Sequence, residues 1–338
     1  MSGSTDQGDF AGRLGGKIAS YHDAGLLYAA AALGLPERLE ARASTADELA
    51  PELGLSASHL HRLLRGLASL GICAERPDGS FALTPEGECL LPGARLREKV
   101  QIVVGQYWWP WANLAATLKT GKPAFAQLFG ANVSDWRRDH AEAGALFDTY
   151  LAHETLAGAP PVVAALDLSG VRIAADIGGG YGGLLARLLE ANPDLGGILF
   201  DSPHRIEAAL SFLTAQGVAD RVERIGGDVL AAIPVAADLY LLAGVLRQWD
   251  DTNARRILAN CREAMPRGAT LAIIERLLPE HAADDPAAIM LDLHMMTITG
   301  GRVRSLGELQ AMCSEARLSL ARTSLTPPGL AVIEAIPV

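Results

Sequence analysis

One stretch, Val171 to Glu190, constrains the fold of this chain more than any other. A short apolar run ends in Asp176, glycines stand at 178, 179, 180, 182 and 183, and an apolar pattern of helical period follows. That order predicts a strand, a tight turn and the opening of a helix. Glycine is needed where a turn takes positive φ and where a ligand must approach bare backbone. The helix start adds free N–H groups and a partial positive charge, which suit an anionic group. Twenty-one residues after Gly180 a second apolar run closes in Asp201, placed to accept hydrogen bonds from a ribose.

The glycine spacing leaves the ligand open. Gly178, Gly180 and Gly183 fit the dinucleotide pattern G-x-G-x-x-G, while Gly178, Gly180 and Gly182 fit the G-x-G-x-G of S-adenosylmethionine (SAM) enzymes. Downstream, strands are predicted at 198–201, 222–225, 238–242 and 270–275, with helices at 203–216 and 251–265 between them. Alternation of this kind gives a doubly wound parallel sheet. Helices at 286–297 and 305–316 follow, with a Gly300-Gly301 break between them. The runs 318–324 and 330–335, joined by Pro327, Pro328 and Gly329, form a closing antiparallel hairpin, unusual for a dinucleotide domain.

The first half reads differently. Residues 1–15 look like a disordered tail, and 16–100 a small helical domain. Ile18 to Leu35 is helical and apolar on nearly all faces, so it must be buried, most naturally against a second subunit. Thr45 and Glu48 form a capping box, a leucine-striped helix covers 56–70, and a hairpin spans 72–83 about the turn Pro77-Asp78-Gly79. Helix, helix, hairpin is a winged helix-turn-helix. Its second helix carries only Arg62 and Arg65, the hairpin pairs Arg76 with Glu75 and Asp78, and the whole chain has a net charge of −10. A basic footprint for nucleic acid is missing, which favours a dimerisation module over a DNA-binding regulator using a nucleotide effector. Residues 101–166 are an irregular helical linker whose aromatics, among them Trp108, Trp109 and Phe147, are either core or the wall of a pocket for a flat ligand. Cys73, Cys89, Cys261 and Cys313 are far apart and read as reduced, mostly buried thiols of a cytoplasmic protein. No His or Cys spacing suggests a metal, and no apolar run is long enough for a membrane.

With the closing hairpin, the chain resembles the small-molecule O-methyltransferases, the family of plant caffeate enzymes and bacterial polyketide-tailoring enzymes. The marks are the glycine segment 176–183, Phe200-Asp201-Ser202-Pro203, Gly227-Asp228, Trp249-Asp250-Asp251, Glu275 and Gly300-Gly301-Arg302. The resemblance implies an α/β fold: a Rossmann-like seven-stranded SAM domain over 167–338, preceded by a winged-helix dimerisation domain, in a cytoplasmic homodimer. It implies a small aromatic, phenolic natural product as substrate, methylated on oxygen or, next in order, on carbon. SAM would lie against Asp176, Gly178, Gly180 and Gly182, with Asp201 and Ser202 at the ribose. Gly227, Asp228, Val229 and Trp249 would surround the adenine, and Ala243 stands where the family often has a lysine.

The departures concern the chemistry. Where the family has its catalytic His this chain has Arg247, and where it has the Glu that orients that His this chain has Val303. An arginine stays protonated and cannot be a general base, although it can stabilise a phenolate. Glu275 remains of the family's polar set. His294, on the helix that by resemblance lines the substrate pocket beside Met290 and Met295, and His153 are the candidate substitute bases. The family also contains non-methylating members of the aclacinomycin-hydroxylase type, similar to this chain in Gly-Gly-Arg-Val-Arg (300–304) and in lacking the His.

Overall fold

The computed structural model of the protein describes residues 10–327 and 329–338, so most of the expected tail and the turn residue Pro328 lie outside the described residues. Where the tail was expected to continue, Phe10–Ala19 is helical. Two compact units divide the chain after Trp108, so the expected linker does not stand alone: its first residues belong with the N-terminal unit and the rest with the C-terminal one.

In the first unit, the single helix expected over 18–35 is broken. One helix ends at Ala19, the next runs Tyr21–Ala32, and a third, Leu35–Ala41, starts after Gly34 at φ 63° with Pro36 in its first turn. A left-handed glycine followed by proline stops one helix and starts another. The capping box forms as expected: Glu48 N–H donates to Thr45 Oγ1 at 3.3 Å and Thr45 N–H to Glu48 Oε2 at 2.7 Å. The helix Ala57–Ser69 buries Leu60, Leu64 and Leu67, and β1 (Cys73–Glu75) pairs antiparallel with β2 (Phe81–Leu83). An isolated bridge from Ser44 to Phe81 adds a third strand position to the wing.

The second unit is built on seven strands: β3 (Ile173–Ile177), β4 (Gly196–Asp201), β5 (Val222–Gly226), β6 (Leu239–Ala243), β7 (Thr270–Arg276), β8 (Leu318–Thr326) and β9 (Leu330–Pro337). Their order is β5-β4-β3-β6-β7-β9-β8; the first five are parallel, and β9 joins β7 and β8 antiparallel. The central strands are buried on both faces, which is why they read as unbroken apolar runs. Successive residues serve opposite cores: Phe200, Tyr240 and Ile273 face helices Asp251–Ala264 and Leu306–Glu315, while Leu199, Leu241 and Ala272 face Gly183–Ala191 and Pro203–Ala215. Cys73, Cys261 and Cys313 are buried free thiols, and Cys89 is exposed. None of the described helices is long and apolar enough to cross a membrane.

The helix Phe10–Ala19 buries none of its residues within the chain, although Phe10, Leu14 and Ile18 repeat every four residues and are 65%, 59% and 68% exposed. Such a stripe has the spacing and apolar character of a helix–helix seam, and the unit that carries it, expected as a dimerisation domain, gives it a second subunit to meet. The protein should therefore run at dimer mass in light scattering at micromolar concentration, and Leu14→Glu with Ile18→Glu should bring it to monomer mass with unchanged helical circular dichroism. A monomeric parent protein would refute the assignment of this stripe.

Candidate functional site

Neighbours of β3 lie on opposite sides in chain order, β4 on one and β6 on the other, so a crevice opens beyond its carboxyl end. The glycine turn fills that position. Gly178, Gly180 and Gly182 take φ of 70°, 60° and 85°, a region that side chains rarely adopt, and Gly182 caps the helix Gly183–Ala191. A Cβ on Gly179 would lie 2.5 Å from the Asp176 carboxyl, and one on Gly178 would lie 3.0 Å from Val245. A Cβ on Gly180 would meet nothing within 4 Å, so the turn is closed towards the protein and open on the ligand side. This cradle suits an adenosyl ligand. Gly180 N–H donates to Asp201 Oδ2 at 2.8 Å, and Ser202 donates to Oδ1 through N at 2.7 Å and Oγ at 3.1 Å. Asp176 is buried with Oδ1 lacking a hydrogen-bond partner; burial, and then Asp201, push its carboxyl up to about 7.

Five more expected cofactor contacts lie at or past the ends of β5 and β6 and in the loop beyond. Gly227 packs so closely on Phe200 that a Cβ would sit 2.5 Å from the ring. Asp228 is exposed and accepts from Leu230 N–H at 2.9 Å, while Val229 packs on the core. Trp249 also packs on the core and is half-buried. Ala243, half-buried, ends β6.

The loop after β6 carries Arg247. Its guanidinium lies 3.1 Å from Glu275 Oε2, and its backbone N–H donates to Oε1 at 3.2 Å. Glu275 is 3% exposed; burial pushes its carboxyl up, and the charge of Arg247 opposes that. The loop is pinned from beneath by Arg304, itself 3% exposed, which donates to the Leu246 carbonyl at 2.8 Å, the Trp249 carbonyl at 2.9 Å and Asp251 Oδ1 at 2.9 Å. Gly301 allows this approach, since a Cβ there would fall 2.1 Å from the Arg247 carbonyl oxygen. Val303 is buried, and its N–H donates to Asp292 Oδ1 at 2.8 Å, so a backbone contact occupies the place expected for an orienting carboxylate.

His294 stacks near Trp111 at 6.2 Å between ring centroids and accepts at Nδ1 from the indole N–H at 3.1 Å. That bond assigns the neutral ring's proton to Nε2. Burial, then the charges of Arg137 and Arg247, hold His294 down at about 4. Arg137, 8% exposed, places its guanidinium 3.4 Å over the Phe147 ring. Of the other expected pocket residues, Trp109 and Met290 are 64% and 52% exposed and Met295 is buried at 9%. Trp108 belongs to the first unit, edge-on to Tyr21 at 6.1 Å. His153 lies against Phe212, 6.4 Å between ring centroids.

Sequence reasoning missed Trp111 as the partner of His294 and the pinning role of Arg304, and missed Arg137, Arg205 and Asp148 altogether. Trp111 stood in the run Tyr107-Trp108-Trp109-Pro110-Trp111 beside the two tryptophans singled out, and Arg304 within the quoted Gly-Gly-Arg-Val-Arg. Asp148 and Arg205 are joined at 3.0 Å across 57 residues, a contact for which periodicity carries no signal.

Comparison with known proteins adds the following. The model of an O-methyltransferase domain matches residues 111–319, and that of an O-methyltransferase dimerisation domain matches 18–93. The chain is similar to a phenazine O-methyltransferase of Lysobacter antibioticus, 35% identical over 95% of this chain and 94% of the relative. It is also similar to an O-demethylpuromycin O-methyltransferase of Streptomyces alboniger, 34% identical over 95% of this chain and 88% of the relative. Among solved structures, an O-methyltransferase from neocarzinostatin biosynthesis in complex with SAM and 2-hydroxy-5-methyl naphthoic acid superposes with a TM-score of 0.82, at 29% identity, covering 95% of this chain and 98% of that one.

Asp176 gives a pH test of the cradle. A carboxyl whose pKa is raised on folding contributes its stability below the unfolded value and loses it as pH rises through the folded value, here about 7. Without ligand, Asp176→Asn should melt above the parent protein at about pH 8, with the gap closing as pH falls towards about 4. A gap independent of pH, read by scanning fluorimetry across that range, would show that Asp176 is not held protonated.

Proposed function

We propose, from the premise that this chain belongs to the O-methyltransferase family, that it methylates a phenolic hydroxyl of a small aromatic natural product and uses Arg247, not a general base, to prepare the oxygen. The enzyme is a SAM-dependent methyltransferase. When bound, SAM supplies a methyl group on a sulfonium, an electrophile with a very good leaving group. The glycine cradle, Asp201 and Ser202 would hold it. Aromatic scaffolds in the names of the relatives, and the hydroxynaphthoic acid in the solved complex, support a flat hydroxylated acceptor.

The observation that carries the mechanism is the state of the two nitrogenous side chains. Arg247 is permanently charged and fixed on the buried Glu275. His294 is neutral, with the lone pair of Nδ1 engaged by Trp111 and its pKa held at about 4. A base that weak, with its acceptor atom occupied, takes no proton from a phenol at neutral pH; its Nε2–H donates instead. A guanidinium beside a phenol lowers the phenol's pKa, because it stabilises the phenolate more than the neutral form, so the hydroxyl gives its proton to solvent water before the oxygen takes the methyl group. Alignment of the reactants then supplies much of the acceleration, up to about 7–11 kcal/mol. Charge gathers on oxygen in this arrangement, which favours oxygen over carbon as acceptor.

Glu275 would anchor rather than react. Removing Arg247 alone would leave a buried carboxylate uncompensated, so the informative variant pairs Arg247→Ala with Glu275→Gln. Its kcat/KM should fall about 10²–10³-fold, as for loss of one oxyanion donor, and its pH–rate profile should move to higher pH. Arg247→Lys keeps the charge without the planar fork and should be intermediate. His294→Ala should lose less than about tenfold; a loss of about 10²–10⁴-fold would make His294 the base. With ¹³C-methyl SAM, the product should show a methoxy carbon, and a ring-methyl signal would move the acceptor to carbon. An unshifted pH profile in the Arg247 variants would end the phenolate account.

A further inference from the structure

The ribose carboxylate does not stand alone. Behind Asp201 lies Arg205, one helical turn along Pro203–Ala215, and behind Arg205 lies Asp148, on the helix Ala141–Ala165. Arg205 Nε donates to Asp148 Oδ1 at 3.0 Å, whereas its Nη1 is 3.5 Å from Asp201 Oδ1. All three are sheltered, with side-chain exposures of 7% for each aspartate and 20% for the arginine. Asp201 meanwhile receives three shorter bonds, from Gly180 and Ser202. The guanidinium is thus held by the far carboxylate and only grazes the near one. Burial raises the Asp148 carboxyl and Arg205 opposes that, while both carboxylates hold Arg205 above its ordinary value against burial.

We propose that Asp148 and Arg205 are positioning residues of the nucleoside site: Asp148 draws the Arg205 guanidinium part-way off Asp201, so that Asp201 keeps its charge and lone pairs for the two ribose hydroxyls. The alternative partner for the guanidinium is Asp201 itself. Without Asp148, the side chain can turn fully onto Asp201 and form the bidentate pair that arginine and carboxylate prefer. The ribose hydroxyls then compete with a full positive charge for the same oxygens. The helix Ala141–Ala165 is therefore tied to the cofactor loop by charge as well as by packing; the Ala152 carbonyl lies only 2.5 Å from where a Cβ on Gly183 would sit.

The inference rests on the reading that Asp201 takes the ribose, and the test separates the two. S-adenosylhomocysteine affinity is measured by calorimetry for the parent, Asp201→Ala, Asp148→Ala, Asp148→Asn, Arg205→Ala and the double variant Asp148→Ala with Arg205→Ala, with unliganded melting temperature and circular dichroism for each. Asp201→Ala binding as tightly as the parent would remove the ribose reading, whatever the others do. With that reading intact, Asp148→Ala should weaken binding about tenfold or more, in line with a charge-assisted hydrogen bond compromised. Asp148→Asn, which keeps the size and an acceptor, should be intermediate and covers the case in which the alanine variant does not fold. The double variant removes one negative and one positive charge, so the cluster keeps its net charge of −1, and it should bind more tightly than Asp148→Ala. Residues in contact couple in stability as well. The recovery therefore supports positioning where affinity changes between Asp148→Ala and the double variant without a matching change in unliganded melting temperature, and an affinity that merely tracks melting temperature would overturn it. Parent-like binding by Asp148→Asn and Asp148→Ala, or a double variant weaker than either single one, would overturn the proposal.

Discussion

Everything at the cofactor end hangs on the hydrogen bond from Gly180 N–H to the Asp201 carboxylate, 2.8 Å long, which joins the ends of two adjacent parallel strands. It forms because β3 and β4 are in register, Asp176 opposite Leu199, so that the chain leaves both at the same level. The turn can then curl back only through glycines of positive φ. The same curl forces the Asp176 carboxyl beneath Gly179, away from water, and so accounts for its raised pKa. A single constraint thus sets the glycine turn, the Asp201 carboxylate proposed for the ribose, and a buried acid.

The second half of the site is governed by a different device, the close seating of one irregular segment on another. The segment from Gly301 to Arg304 runs against the loop that bears Arg247, near enough that only glycine fits at 301. Arg304 saturates the carbonyls of Leu246 and Trp249. Buried guanidinium groups are costly unless nearly every donor is used, and here the donors go to carbonyls and to Asp251. The result is a rigid shelf. On it, Arg247 and Glu275 form a pair whose charges largely cancel towards the protein, while the remaining guanidinium donors of Arg247 lie on a half-buried side chain.

Histidine chemistry shows why position decides what a residue type can do. His294 sits on the helix Pro286–Ile298, as an acid–base residue would. Burial, and then the charges of Arg137 and Arg247, hold its pKa down, and the Trp111 indole N–H occupies its Nδ1 lone pair. The base-free transfer proposed for this site is compatible with that state, since a leaving group as good as a thioether asks less of a base than most group transfers do.

The sequence by itself determined the Rossmann-like sheet, its closing antiparallel hairpin, the winged helix and the place of the glycine turn. All of these are encoded locally: period-2 and period-3.6 apolar runs, a capping box at Thr45 and Glu48, glycines that must take positive φ. Its errors were local as well, as when an apolar stretch from Ile18 to Leu35 read as one helix because composition does not weigh a Gly34 stop against an alanine-rich run. Only the tertiary structure decided which charges meet. Arg247 with Glu275, Trp111 with His294, and Asp148 with Arg205 are contacts across 28, 183 and 57 residues. Such pairs are fixed by where strands order themselves in the sheet and how far helices slide on it. No period in the sequence carries that information, and electrostatic energy depends on distance in space, not along the chain.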